Sequence, residues 1–326
     1  MYAVAFDSAG NIAWYRGFDV GLIGLGEIKQ QANGDFTMFL GATSGWNATA
    51  GYYVQFHPDG DVVATYQAQA PLFTDNHELL LTFKDSVLTG ALFSGYELRR
   101  TDLSSVGGPT DSLFAYHRII RWTPGAGAVP IIKAEQIFTL ADRIEPPGFP
   151  PFDLAHPNSI DVDDDGNYIV SWRNMGEVTA FNPQSGDIVW RLGGTHSMFQ
   201  FVNDPLGGFS GQHCVRMVGH DRVLVYDNGL RHNPPLTRGV EYQLDRVAGT
   251  ATLVWEFRHP RGLFNGFTGC AQRLTNGNTL VTFSAEGTIT EVNPVGNIVA
   301  EGVVENAGTI VTPYRGIRIK SLYGRQ

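Results

Sequence analysis

Three residues able to do polar chemistry, His77, Asn158 and His213, occupy one place in a repeating pattern. Each stands eleven residues ahead of an apolar residue in a strand-like run, at Leu88, Ile169 and Leu224. Gly26 and Gly269 hold the same place relative to Thr37 and Leu280. Two further polar residues join the set. His156 lies two residues before Asn158, hence on the same strand face by the two-residue period, and Arg173 closes the strand that follows. A neutral imidazole can attack an electrophile or carry a proton. A guanidinium offers two parallel N–H groups to a sulfate or phosphate, and an amide adds a donor. The set therefore suits transfer or capture of an anionic group. Three histidines also suit zinc or iron. No carboxylate accompanies them in register, however, and Arg173 would oppose a cation, so neither a metal nor another cofactor is called for. A different acid/base or lyase reaction in the same pocket, and a non-enzymatic binding module, remain open on the residues alone.

The elements that must position these residues are short strands. Helical periodicity is hard to find, and apolar runs are split by Gly, Asn, Asp and Pro. One hairpin type, an apolar strand, a turn rich in Asp, Asn and Gly, and a second strand, recurs over residues 2–15, 52–66, 114–138, 177–190, 241–255 and 288–299. A second type lies between those hairpins and begins at Gly26, His77, Asn158, His213 and Gly269. Four strands every ~50 residues is the signature of propeller blades. Six outer hairpins predict an all-β, six-bladed β-propeller of four-stranded antiparallel blades, with residues 1–326 as a single domain. The segment Ile310–Ile319 is expected to pair with the hairpin of residues 1–17 and close the ring. In such a ring the first strands line a central channel, so equivalent residues are expected to converge.

The motifs H-x-N-S-x-D (from His156), S-x-R (ending at Arg173), Q-H (ending at His213), D-N-G (Asp227–Gly229) and T-R-x-V-E-Y (from Thr237) run in order along the chain. They resemble those of the arylsulfotransferase (aryl sulfate sulfotransferase) family over roughly residues 75 to 300. The resemblance implies a six-bladed propeller that moves a sulfuryl group from a phenolic sulfate ester to a phenol, without the nucleotide donor of other sulfotransferases. It implies that His213 is the nucleophile that becomes a sulfohistidine, with His156, Asn158, Arg173 and His77 completing the catalytic set. Arg238 matches the T-R motif. Arg238, Asn228 and Arg231, from the loop of residues 227–238, are expected to face the substrate. The implied partners are a small aryl sulfate and a phenol.

Composition agrees with a well-buried globular chain: charged residues make up 17% and aromatics 12% of 326 residues. The net charge of −9 leaves no basic stripe for nucleic acid. No apolar run approaches the ~20 residues of a membrane helix. Met1–Ala5 leads straight into a turn, so no signal peptide is read, although the resemblance would place the protein in the periplasm or outside the cell. The oligomeric state is left open. Cys214 and Cys270 are register-equivalent and are expected to share a layer; free thiols are favoured, and one bridge stays open because it needs Cα atoms within about 7 Å. Asp161-x-Asp163-x-Asp165-Gly166 resembles a calcium loop, but its twelfth position is Trp172, so it reads as a hairpin turn.

Overall fold

The computed structural model describes residues 2–18, 26–44, 47–145, 152–319 and 321–322. The chain forms two compact units. The first comprises Met1–Lys133, Gly148–Asp153 and Ile319–Gln326; the second comprises Ala134–Pro147 and Leu154–Arg318.

The first unit begins with a hairpin of β1 (Tyr2–Phe6) and β2 (Ile12–Gly17). A four-stranded sheet follows, β3 (Ile28–Gln30), β4 (Phe36–Ser44), β5 (Asn47–Phe56) and β6 (Val62–Tyr66), paired in that order. The next sheet holds β7 (Phe73–Lys84), β8 (Val87–Thr101), β9 (Ser112–Thr123) and β10 (Gly127–Lys133), and β11 (Phe152–Asp153) adds to β9 in parallel. In the second unit, β12 (Pro157–Val162), β13 (Tyr168–Trp172), β14 (Glu177–Phe181) and β15 (Ile188–Gly193) form one sheet. A short β16 (Gln200–Val202) borders the next, β17 (His213–Gly219), β18 (Arg222–Asp227), β19 (Arg238–Asp245) and β20 (Thr250–Phe257). The last full sheet is β21 (Cys270–Arg273), β22 (Thr279–Phe283), β23 (Thr288–Val292) and β24 (Ile298–Val303). A small hairpin of β25 (Glu305–Asn306) and β26 (Thr309–Ile310) comes after it. No α-helix occurs among the described residues.

The turns show why these segments pair as neighbours. In Asp163–Asn167 the N–H of Asp163 donates to the Asn167 carbonyl at 3.0 Å, and Gly166 N–H returns to the Asp163 carbonyl at 2.9 Å. Gly166 has φ +83°, a conformation costly for any residue with a Cβ. Asp7–Asn11, Gln31–Asp35, His57–Asp61, Leu274–Asn278 and Asn293–Asn297 repeat the pattern. The Asp163 carboxylate accepts the Asp165 and Asn167 N–H groups, so the calcium-like motif is a hairpin turn, as expected.

Strand β18 is apolar on both faces because its sheet is packed on both sides. In β18, Val223 and Val225 enter a core with Ile169, Val178, Trp190 and Val240 from β13, β14, β15 and β19. Leu224 and Tyr226 point the other way, into a core with Ala271, Val281 and Phe283. Alternation along one strand thus fills two cores, each fully buried side chain contributing roughly 1.5–3 kcal/mol. The first unit repeats the arrangement, with Phe39, Tyr53, Leu79, Leu81 and Phe93 packed between its two sheets.

The fold is the expected all-β propeller, with two corrections. Among the described residues there are five four-stranded blades, not six. The hairpin β1–β2 pairs with no third strand among the described residues, and Ile310–Ile319 does not close it. Past β26 the chain runs beside β21 and β22 on side-chain bonds instead. Thr282 Oγ1 accepts Gly316 N–H at 3.1 Å, and Gln272 Oε1 accepts Arg318 N–H at 2.7 Å. With their N–H groups taken by side chains, these residues have no ladder to offer. The second correction concerns Cys214 and Cys270, which form a disulfide across β17 and β21. Register equivalence brings their Cα atoms to 5.0 Å, inside bonding range.

Candidate functional site

In the second unit the candidate residues sit where first strands depart from regular pairing. β17 starts with His213 opposite Tyr226, then slips before Arg216. β12 starts with Pro157 opposite Trp172, then slips before Ser159. Left-handed backbone accompanies both strand starts, in His156 (φ +53°) just before β12 and in Cys214 (φ +50°) within the slip of β17. A bulge takes a side chain out of the ladder and re-aims it, which is how a strand end can present a functional group.

Hydrogen bonds between the two sheets then fix these starts against each other. Asn158 Nδ2 donates to the Gln212 carbonyl at 2.6 Å. Ser159 Oγ accepts Val215 N–H at 3.0 Å, and Asp161 Oδ2 accepts Met217 N–H at 2.8 Å. The buried Gln212 amide donates in turn to Ser171 Oγ at 3.2 Å and the Trp172 carbonyl at 3.3 Å. Arg173 N–H donates to the His156 carbonyl at 3.1 Å. The segments bearing His156, Asn158 and Arg173 are thereby bound to the residue that precedes His213. Asn158 is fully buried and its Oδ1 has no partner among the described residues.

His213 is buried as well. Its Nδ1 lies 2.8 Å from Asn228 Oδ1 and 3.1 Å from the Gly211 carbonyl, and Thr268 N–H points at Nε2 from 3.3 Å. Asn228 therefore lies behind the imidazole.

One cation and one carboxylate enlarge the site beyond the sequence reading. Arg315 is buried and donates from Nη2 to the Asn158 carbonyl at 2.7 Å. Glu145 is buried on a segment whose Ile144 and Glu145 N–H groups both donate to the Asn174 carbonyl. Burial pushes the Glu145 carboxyl above the usual range, opposed by the charges of Arg173, Arg231 and Arg143. Arg231 itself is exposed, and its N–H is fixed on Ser210 Oγ at 2.9 Å.

Arg238 is fully buried. Its Nε donates to Asp227 at 2.9 Å, and its two Nη groups grip Asp204 at 3.0 and 2.9 Å. The same groups also reach Glu256 at 3.1 Å and the Gly208 carbonyl at 2.6 Å. Burial opposes ionisation of Asp204, but hydrogen bonds from Arg238 and Tyr242 outweigh it and hold the carboxyl at about 2. The guanidinium thus braces the loop of residues 204–208 and the Asp227 that precedes Asn228.

His77 belongs to the first unit. It sits in a bulge of β7, whose pairing with β8 breaks between Thr74 and Leu79. Asp75 Oδ1 takes the Nδ1 of His77 at 2.7 Å and its backbone N–H at 3.0 Å. Ser94 Oγ fixes the same oxygen at 2.9 Å. This carboxylate–imidazole pair is buried, an arrangement that orients a proton carrier. Asp75 stands two residues before His77, the spacing that linked His156 to Asn158, so the signal for it was present in the sequence. Glu145 and Arg315 lie in irregular segments with no period to mark them.

Residues 46–305 match the family model described as Arylsulfotransferase (ASST). No curated protein matches the chain. Among solved structures, a Bacteroides caccae protein of unknown function is similar at 11% identity and a TM-score of 0.50, over 92% of this chain and 92% of that one. A functionally unknown protein from Desulfotomaculum acetoxidans is similar at 10% identity and a TM-score of 0.50, over 94% of this chain and 78% of that one. At such identities these structures speak to the fold alone.

Proposed function

The chain belongs to the arylsulfotransferase family, and on that premise we propose that it moves a sulfuryl group from a phenolic sulfate ester to a phenol by a ping-pong route through His213. In the first half, an imidazole nitrogen of His213 bonds to sulfur as the bond from sulfur to the phenolic oxygen breaks, and the departing phenolate takes a proton. In the second half, an acceptor phenol gives up its proton, its oxygen bonds to sulfur, and the N–S bond breaks. Sulfuryl transfer resembles phosphoryl transfer in spreading negative charge over the equatorial oxygens, so catalysis is mostly positioning and charge stabilisation. Arg173, His156 and Asn158 hold those oxygens. Proton transfer falls to His77, whose ring Asp75 orients. Arg231 draws the anion in from its exposed loop, Asn228 and Arg238 support the His213 side, and no cofactor is required.

The observation that carries this reading is the set of bonds that lock Asn158 and the Arg173 segment onto Gln212, one residue from His213. Incubation with an aryl sulfate and no acceptor, followed by intact mass and peptide mapping, tests it. The expected result is one sulfuryl adduct on the His213 peptide, discharged by added phenol and absent in His213→Ala. Arg173→Ala is expected to lower kcat/KM at least a hundredfold. Turnover without any adduct, or turnover retained in His213→Ala, would sink the proposal.

A further inference from the structure

We infer that Asn228 is a positioning residue that fixes the tautomer of His213 and so selects Nε2 as the attacking nitrogen. The inference rests on reading His213 as the nucleophile. A neutral imidazole carries one N–H and one lone pair. Nδ1 faces two oxygens, Asn228 Oδ1 at 2.8 Å and the Gly211 carbonyl at 3.1 Å. A lone pair there would oppose both, so the proton belongs on Nδ1.

The orientation of the Asn228 amide follows from its other end. Nδ2 donates to the Asn265 carbonyl at 2.6 Å and the Thr268 carbonyl at 3.0 Å. Turning the amide over would set its oxygen against two carbonyls and its NH2 against the His213 N–H. Asn228 is fully buried, so water cannot relieve such a clash. On the far side of the ring, Thr268 N–H points at Nε2 from 3.3 Å, which places the lone pair on Nε2, and this long bond has to open for that pair to reach sulfur. Donor and acceptor assignments on both sides of the imidazole therefore give one tautomer.

The choice of an amide over a carboxylate has a chemical reason. As the N–S bond forms, the ring becomes cationic and its Nδ1–H strengthens its bond to Oδ1. A carboxylate in that place would stabilise imidazolium in the resting enzyme as well, removing the lone pair that attacks. The amide helps the charged intermediate and leaves the resting ring neutral.

Nitrogen NMR on protein labelled at histidine tests the inference, with His213→Ala used for assignment. In the wild type, His213 should show a pyrrole-type Nδ1 and a pyridine-type Nε2. In Asn228→Ala the Asn228 oxygen is gone while the Gly211 carbonyl stays, and the tautomer preference should fall about tenfold. Adduct formation should slow by roughly ten- to a hundredfold, with KM for the aryl sulfate changed less than about threefold, because the residue lies behind the ring. In Asn228→Asp the acid limb of the adduct-formation rate should move to higher pH. The inference is overturned if the wild-type proton sits on Nε2, or if Asn228→Ala keeps both the tautomer ratio and the adduct rate of the wild type. The wild-type spectrum decides by itself if a variant does not fold. The expected tautomer in a protein that never forms the adduct would uphold the positioning role of Asn228 and refute the sulfohistidine instead.

Discussion

Replacing Arg238 by methionine should destabilise the second unit strongly and reverse the way part of its stability depends on pH. The guanidinium is wholly enclosed, as are the carboxylates of Asp204 and Asp227, while Glu256 is partly exposed. Methionine fills much of the volume but leaves the two enclosed carboxylates without their cation. Breaking a buried pair by removing one partner costs about 3–5 kcal/mol, a large share of the 5–15 kcal/mol that holds a domain folded. In the wild type, Asp204 ionises at about 2 when folded, against 3.8 for the free side chain. Its contribution is therefore present above pH 3.8 and fades as the pH falls from there toward 2. In Arg238→Met the folded carboxyl should ionise above its unfolded value. Its penalty is then full at neutral pH and relieved as the pH falls through the raised folded pKa. Urea unfolding followed by tryptophan fluorescence should show a deficit of about 4 kcal/mol at pH 7 that narrows toward pH 4.5. Asp204→Asn added to Arg238→Met should recover part of it, because one stranded charge is gone. A deficit under about 1 kcal/mol at pH 7, or one that does not change with pH, would refute the account of this cluster.

Two other outcomes follow from the geometry. Cys214→Ala combined with Cys270→Ala should lose up to about 4 kcal/mol in non-reducing unfolding experiments, the chain-entropy value for a bridge closing 56 residues; an unchanged midpoint would mean that the link does not constrain the unfolded chain. Glu145→Gln should bind inorganic sulfate several-fold more tightly at neutral pH, because the carboxylate shares the charges of Arg173 and Arg231 with any anion. Burial raises the Glu145 pKa, so wild-type sulfate affinity should climb as the pH falls through that raised value and stay flatter in the variant. Calorimetric titration at several pH values checks both, and equal affinities throughout would remove Glu145 from the site.

What could be read from the sequence was set by period. The eleven-residue spacing marked His77, Asn158 and His213, and each lies beside a bulge in a first strand, but only two of them share a register: Asp161 opposite Ile169 and Arg216 opposite Leu224 lie three residues past Asn158 and His213, whereas Phe83 opposite Leu88 lies six residues past His77. The same periodicity overcounted the blades. The hairpin of residues 2–17 looks like the others, and only pairing partners, which lie far away in sequence, tell a lone hairpin from half of a sheet. Cys214 and Cys270 were placed in one layer correctly, but register gives a layer and not the 5.0 Å that permits a bond. Arg238 could be matched to a motif, yet three of its partners, Asp204, Gly208 and Glu256, come from a distant loop and strand that no local pattern connects to it.

The bulges at the first strands separate two jobs that a strand residue usually has to combine. A side chain inside a regular ladder must pack and keep its neighbours paired, so replacing it disturbs the sheet. At these slipped positions the backbone has already left the ladder, and the side chain answers only to what stands in front of it. Three first strands, β7, β12 and β17, carry such a slip, while β3 and β21 pair without one. Those three slips leave sockets whose side chains stand outside the ladder while the strand beyond keeps its register.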